Sequence, residues 1–108
     1  MQKHLKKIAL ILDKFRKKHN FIGAYLECDS CVQKNVHTRL GISCGSEFDK
    51  LTLEQIHEIQ RGIYEEIRSY LEKNNIDNTL YIVTEKRHSW ATSNFLLYFK
   101  DEYVLSVV

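Results

Sequence analysis

No stretch of this 108-residue sequence approaches the roughly 20 consecutive apolar residues that a helix needs to cross a bilayer. The longest apolar run near the start, Ile8–Leu12, is too short for the core of a secretory signal, and no small-residue cleavage site follows it. Proline is absent, and the four glycines are spread along the chain, so no glycine-rich loop is available to cradle phosphates. Cysteine is sparse and odd in number: Cys28, Cys31 and Cys44. In a chain able to fold without crosslinks, that points to free thiols in a reducing compartment. The expected location is therefore the cytoplasm, with no membrane partner. Strong acidity, the mark of a nucleic-acid mimic, is also missing, because the net charge is +2. Internal repeats, linkers and low-complexity segments are not found either.

What remains has the make-up of an ordinary globule, with 44% apolar and 28% charged residues. The length fits one domain, residues 1–108, able to bury roughly two thirds of its unfolded surface without staples. The small net charge hides an asymmetry. Residues 1–20 hold seven Lys/Arg and one acid, Asp13, and so carry +6. The rest of the chain carries −4.

The patterning predicts seven elements. Leu5, Ile8, Leu12 and Phe15 recur at helical spacing within residues 2–18, with lysines filling the other face. Arg16, Lys17, Lys18 and His19 suit the negative end of that helix, and Asn20 reads as a left-handed stop. Phe21–Cys28 and Asn35–Cys44 read as strands one and two, with Cys31–Lys34 either strand extension or loop. Gly45–Asp49 reads as a loop. Thr52 followed by Gln55 is a capping box, and Leu51 with Ile56 a hydrophobic staple. Helix two then runs over Leu53–Lys73, with Ile56, Ile59, Ile63, Ile67, Tyr70 and Leu71 on one stripe and a Glu65–Arg68 pair outside it. Thr79–Thr84, Phe95–Phe99 and Tyr103–Val108 read as strands three to five, the fourth apolar enough for burial on both faces and joined to the fifth by a short hairpin at Lys100–Glu102. The predicted architecture is α+β: helix, two strands, helix, three strands, forming one antiparallel-rich sheet packed by two helices.

Motifs that carry chemistry are weak. Cys28-Asp29-Ser30-Cys31 is a Cys-x-x-Cys, with His37 and Cys44 downstream. Strand geometry separates Cys28 from Cys44 by about 17–20 Å, far beyond zinc–sulfur bonds of about 2.3 Å. No helix follows Cys31 to lower a thiolate pKa. The five histidines are scattered, and Glu85-Lys86-Arg87-His88 reads as a polar loop. We therefore expect no enzyme, no metal and no cofactor. Trp90 either folds back over the sheet edge or anchors a partner, as tryptophan does at interface hot spots. The candidate interaction residues are Lys3, Lys7, Lys14, Arg16, Lys17, Lys18, Lys86, Arg87 and Trp90.

Three segments resemble the roadblock/LC7 family. Phe21-Ile22-Gly23-Ala24-Tyr25-Leu26-Glu27-Cys28-Asp29 is similar to the family's first strand, Leu80–Lys86 to its third, and Lys100–Val108 to its last hairpin and strand. The chain departs from the family in carrying isoleucines, tyrosines and glutamates on helix two where small residues are usual. The loop Glu85–Ser93 is also longer than the family's turn. The resemblance implies a non-enzymatic scaffold that dimerises and regulates small GTPases or motor complexes. The favoured function is thus a regulatory, protein-binding module acting as a homo- or heterodimer. The alternatives are a bacterial or phage inhibitor of immunity type that blocks a nuclease or toxin and, less favoured, a nucleic-acid binder using the basic first helix.

Overall fold

The computed structural model of the protein describes residues 3–29, 37–85 and 93–100. Within them run α1 (Lys3–His19), β1 (Gly23–Asp29), β2 (His37–Ser43), a 3-10 helix (Gly45–Lys50), α2 (Leu53–Lys73), β3 (Leu80–Glu85) and β4 (Asn94–Phe99). The fold class is α+β, as the patterning predicts. Strand five, with the residues quoted for the last hairpin beyond Lys100, lies outside the described residues.

α2 starts, and both α-helices stop, where the sequence supplies partners for orphan backbone groups. At the head of α2, the Gln55 N–H donates to Thr52 Oγ1 at 3.2 Å and the Thr52 N–H donates to Gln55 Oε1 at 2.8 Å. Both halves of the predicted capping box are made. With no proline and few glycines to break helices, asparagine ends both of them. Asn20 and Asn75 hold φ of 57° and 56°, the left-handed conformation that asparagine tolerates better than most residues. The next N–H then reaches back five residues: Phe21 to Arg16 O at 3.0 Å, and Ile76 to Leu71 O at 2.9 Å. This is the Schellman closure, and in each case the following apolar residue, Phe21 or Ile76, is buried.

The four strands are antiparallel throughout, in the order β1-β2-β4-β3. Two hairpin-type pairs, β1 with β2 and β3 with β4, join where β2 meets β4, so the central strands are the second of each pair. Register sets the inner face. Leu40 lies opposite Leu97, which lies opposite Ile82; Ile42 lies opposite Phe95. Leu40, Ile42, Phe95 and Leu97 are buried in one cluster with Leu5, Ile8 and Leu12 of α1 and Ile59, Ile63, Ile67 and Leu71 of α2. Both helices therefore cover the same face of the sheet.

Three expectations need correction. The loop after β2 is a 3-10 helix, which tucks Phe48 into the core against Phe95 with ring centroids 6.1 Å apart. Gly45 opens it at φ 63°, and its missing Cβ leaves room for the Ile22 side chain. β4 is not buried on both faces: Phe95, Leu97 and Phe99 are, but Leu96 is half-buried and Tyr98 is exposed. Helices cover only one side, so a continuous apolar run here marks a central strand rather than a sandwiched one. Arg68 does not pair with Glu65. It turns the other way, to Glu72 at 3.7 Å and to the Asn78 carbonyl at 2.7 Å, and so ties α2 to the approach of β3.

Candidate interaction surfaces

The basic charge of the first helix lies on its solvent face. Lys6, Lys7, Lys14, Lys17 and Lys18 are all exposed, while Leu5, Ile8 and Leu12 point into the core. Several predicted contact residues already have partners. Arg16 donates to Asp13 at 2.7 Å, and Lys17 approaches the same carboxylate at 3.4 Å. The hydrogen bond from Arg16, supported by Lys17, holds the Asp13 carboxyl below the usual carboxylate range. Lys14 reaches across to Glu66 of α2. Exposed pairs of this kind contribute little to stability. Lys86, Arg87 and Trp90 lie outside the described residues. The backbone of Lys3 is placed at the start of α1.

One exposed residue breaks the lysine face. Leu10 is 62% exposed among Lys6, Lys7, Lys14 and Lys17. It lies outside the apolar stripe, and its position is legible in the sequence: at about 100° per residue it falls opposite Leu5, Ile8 and Leu12.

Between α1 and α2 lies a shallow seam built on Phe15. The two helices run antiparallel, His4 meeting Tyr70 at one end and Phe15 meeting Gly62 further along. Two open grooves of about 300 Å³ each flank the Phe15 ring, one bordered by Lys14 and Glu66, the other by Lys18, His19, Glu58, Arg61 and Glu65. Burial, with some help from the charge of Lys18, lowers the His19 pKa from its ordinary value. Gly62 permits the close approach: a Cβ there would sit 3.1 Å from Phe15 Cε1. Because Phe15 is half-buried with open space beside it, the ring can yield by a few tenths of an ångström. Gly62→Ala is therefore expected to stabilise the protein by roughly 0.5 kcal/mol, the helix-propensity gain of about 1 kcal/mol less the crowding. Gly62→Val adds branches against the ring and should lose that gain. Denaturant midpoints of the two variants check the pair.

The opposite side of the molecule is the open face of the sheet. Tyr81, Val83 and Tyr98 are 57%, 46% and 48% exposed, and Tyr81 stands directly across from Tyr98 in register. Leu96, paired with Val83, is half-buried beside them. This surface is missed by reading β4 as doubly buried. The alternation Leu80-Tyr81-Ile82-Val83 carries the signal, since every second residue must point away from the helices.

Two buried polar groups are structural. His4 is 3% exposed, and its Nδ1 lies 2.7 Å from the Tyr70 hydroxyl, an interhelical hydrogen bond. Burial raises the pKa of Tyr70. Cys44 is fully buried, and burial pushes its thiol pKa up to about 12. A thiol held protonated in this way is inert at neutral pH. The register puts Cys28 opposite Thr38, six residues from Cys44, a separation of about 20 Å along the strand. Among the described residues, no three His, Cys, Asp or Glu gather as a metal would require, and no helix is long and apolar enough to cross a membrane.

No family model, curated protein or solved structure matches this chain.

Proposed function

We propose that this chain is a small non-enzymatic interaction module that pairs with a second copy through the open face of its sheet. The observation that carries this reading is the exposure of Tyr81, Val83 and Tyr98 on one face of the sheet, while both helices pack on the other. Monomeric proteins seldom leave a contiguous apolar patch of large side chains in water, and such patches mark contact sites. Tyrosine is enriched at the centre of interfaces, where the ring is buried and the hydroxyl keeps a hydrogen bond. The roadblock/LC7 resemblance gives the reading one specific form, a dimeric scaffold acting on a small GTPase or a motor complex.

Light scattering on the purified protein tests it. The expected mass is twice the 12.8 kDa of one chain. Replacing Tyr81 and Tyr98 by serine should return the single-chain mass without altering the far-UV circular dichroism spectrum, because neither ring is in the core. A wild-type monomer at high micromolar concentration rejects the proposal. So does a dimer that persists in the double variant.

A further inference from the structure

The solvent face of α1 has a geometry of its own, on the side of the sheet away from the tyrosines. Lys7, Leu10, Lys14 and Lys17 recur at intervals of three, four and three residues, and all are exposed. On a helix that spacing draws one straight stripe, here about 15 Å long at 1.5 Å per residue. Lys6 flanks it. The stripe therefore has an apolar centre, Leu10, and a cationic rim.

Among the described residues, its charge is only partly compensated. The helix has one acid, Asp13, already shared by Arg16 and Lys17. Of the described ion pairs, only Lys14–Glu66 brings an acid from another element to α1. Lys6, Lys7 and Lys18 make no described ion pair. The first 20 residues carry +6 and the remainder −4, and one of the described ion pairs joins the two.

We propose that this face docks an acidic segment of a partner protein, its carboxylates on the lysines and one apolar side chain on Leu10. Two features favour a carboxylate-rich protein over nucleic acid. The helix's one arginine, the residue suited to bidentate phosphate contacts, is tied to Asp13. A leucine at the centre of the stripe has nothing to meet on a phosphate backbone, whereas an apolar centre inside a charged rim is the anatomy of a protein interface. The contact is independent of sheet pairing, since the two surfaces lie on opposite layers.

The test is a thermodynamic cycle. The probe is a synthetic glutamate-rich peptide of about four helical turns carrying a single central leucine, alongside its leucine-to-glutamine counterpart and a DNA duplex of similar length. At low salt, the wild-type protein should bind the leucine peptide, and Leu10→Asn should weaken binding about tenfold, the loss expected from one buried aliphatic contact. Leu10→Asn should bind the glutamine peptide no more weakly than the wild type does, which assigns the loss to the leucine–leucine contact. Replacing Lys6 and Lys7 by glutamine should weaken the complex further and flatten its salt dependence. All three residues are exposed, so the variants should keep their fold, checked by circular dichroism. The proposal is overturned if the leucine peptide does not bind, if Leu10→Asn binds it unchanged, or if the duplex binds more tightly than the peptide and is indifferent to Leu10.

Discussion

Ile63→Asp should abolish cooperative folding. Ile63 has no exposed surface, and it sits mid-way along α2 in the cluster that joins both helices to the sheet. Aspartate there removes an aliphatic contact worth about 2–5 kcal/mol. It also places a carboxyl group inside that apolar cluster, at a cost of several kcal/mol more. Small domains are stable by roughly 5–15 kcal/mol in all, so the sum consumes most or all of that margin. The measurement is thermal and urea denaturation followed by far-UV circular dichroism, with loss of the sigmoidal transition as the expected result. Tyr64→Asp is the control. It introduces the same charge one residue along, on the exposed side of the helix, and should change stability by only about 0.5 kcal/mol. An Ile63→Asp variant that melts like the wild type would mean that α2 does not bury this face.

Phe95→Ala should be the most damaging truncation in the sheet. Phe95 is fully buried on the central strand β4 and has aromatic neighbours from two other parts of the chain. Phe21, just after α1, lies 6.0 Å away between ring centroids, and Phe48 of the 3-10 helix lies 6.1 Å away. Truncating a core phenylalanine costs about 3–5 kcal/mol through lost transfer free energy and the cavity left behind. Each aromatic pair adds about 0.5–1.5 kcal/mol beyond burial. A loss of about 4 kcal/mol corresponds to a fall in Tm of roughly 15–25 °C for a domain of this size. Tyr98→Ala, three residues along the same strand but facing out, should cost less than about 1 kcal/mol in the monomer. If the two variants melt together, the assignment of faces on β4 is wrong.

That contrast also shows where the sequence is legible. Periodicity finds both helices because their apolar faces are narrow: Leu5-Ile8-Leu12 and Ile59-Ile63-Ile67 leave one orientation each. The capping box at Thr52 and the asparagine stops are local chemistry, so they are read from a few adjacent residues. Strand pairing is not local. Nothing in the sequence says that β2 meets β4, and without that pairing the run Phe95–Phe99 cannot be told from a strand covered on both sides. Phe48 is missed for a related reason: a single aromatic in a polar stretch has no period, and only the tertiary position of Phe95 gives it a place in the core. Of the candidate interaction residues, Lys7, Lys14, Lys17 and Lys18 lie on the solvent face that helical periodicity assigns them. Their pairing with Asp13 and Glu66 depends on rotamers and on the helix crossing, which composition does not encode. The tyrosines of the open face are visible as alternation, yet only knowing which side the helices take turns that alternation into a surface.

The strand order β1-β2-β4-β3 has a kinetic consequence. Each half of the described chain is a helix followed by two adjacent strands, and in each half the second strand is the inner one. The halves meet along the four-residue register from Leu40 with Leu97 to Ser43 with Asn94, and along the helix pair above it. Contacts within a half span short loops and close at small entropic cost, whereas the central seam must close around the whole of α2. Folding should therefore be limited by docking of two preformed halves, with the rings of Phe21, Phe48 and Phe95 at the join. The same seam is the natural line along which the native protein opens, so amide hydrogens on β2 and β4 would report that motion, while the outer faces carrying the tyrosines and the lysine stripe stay intact.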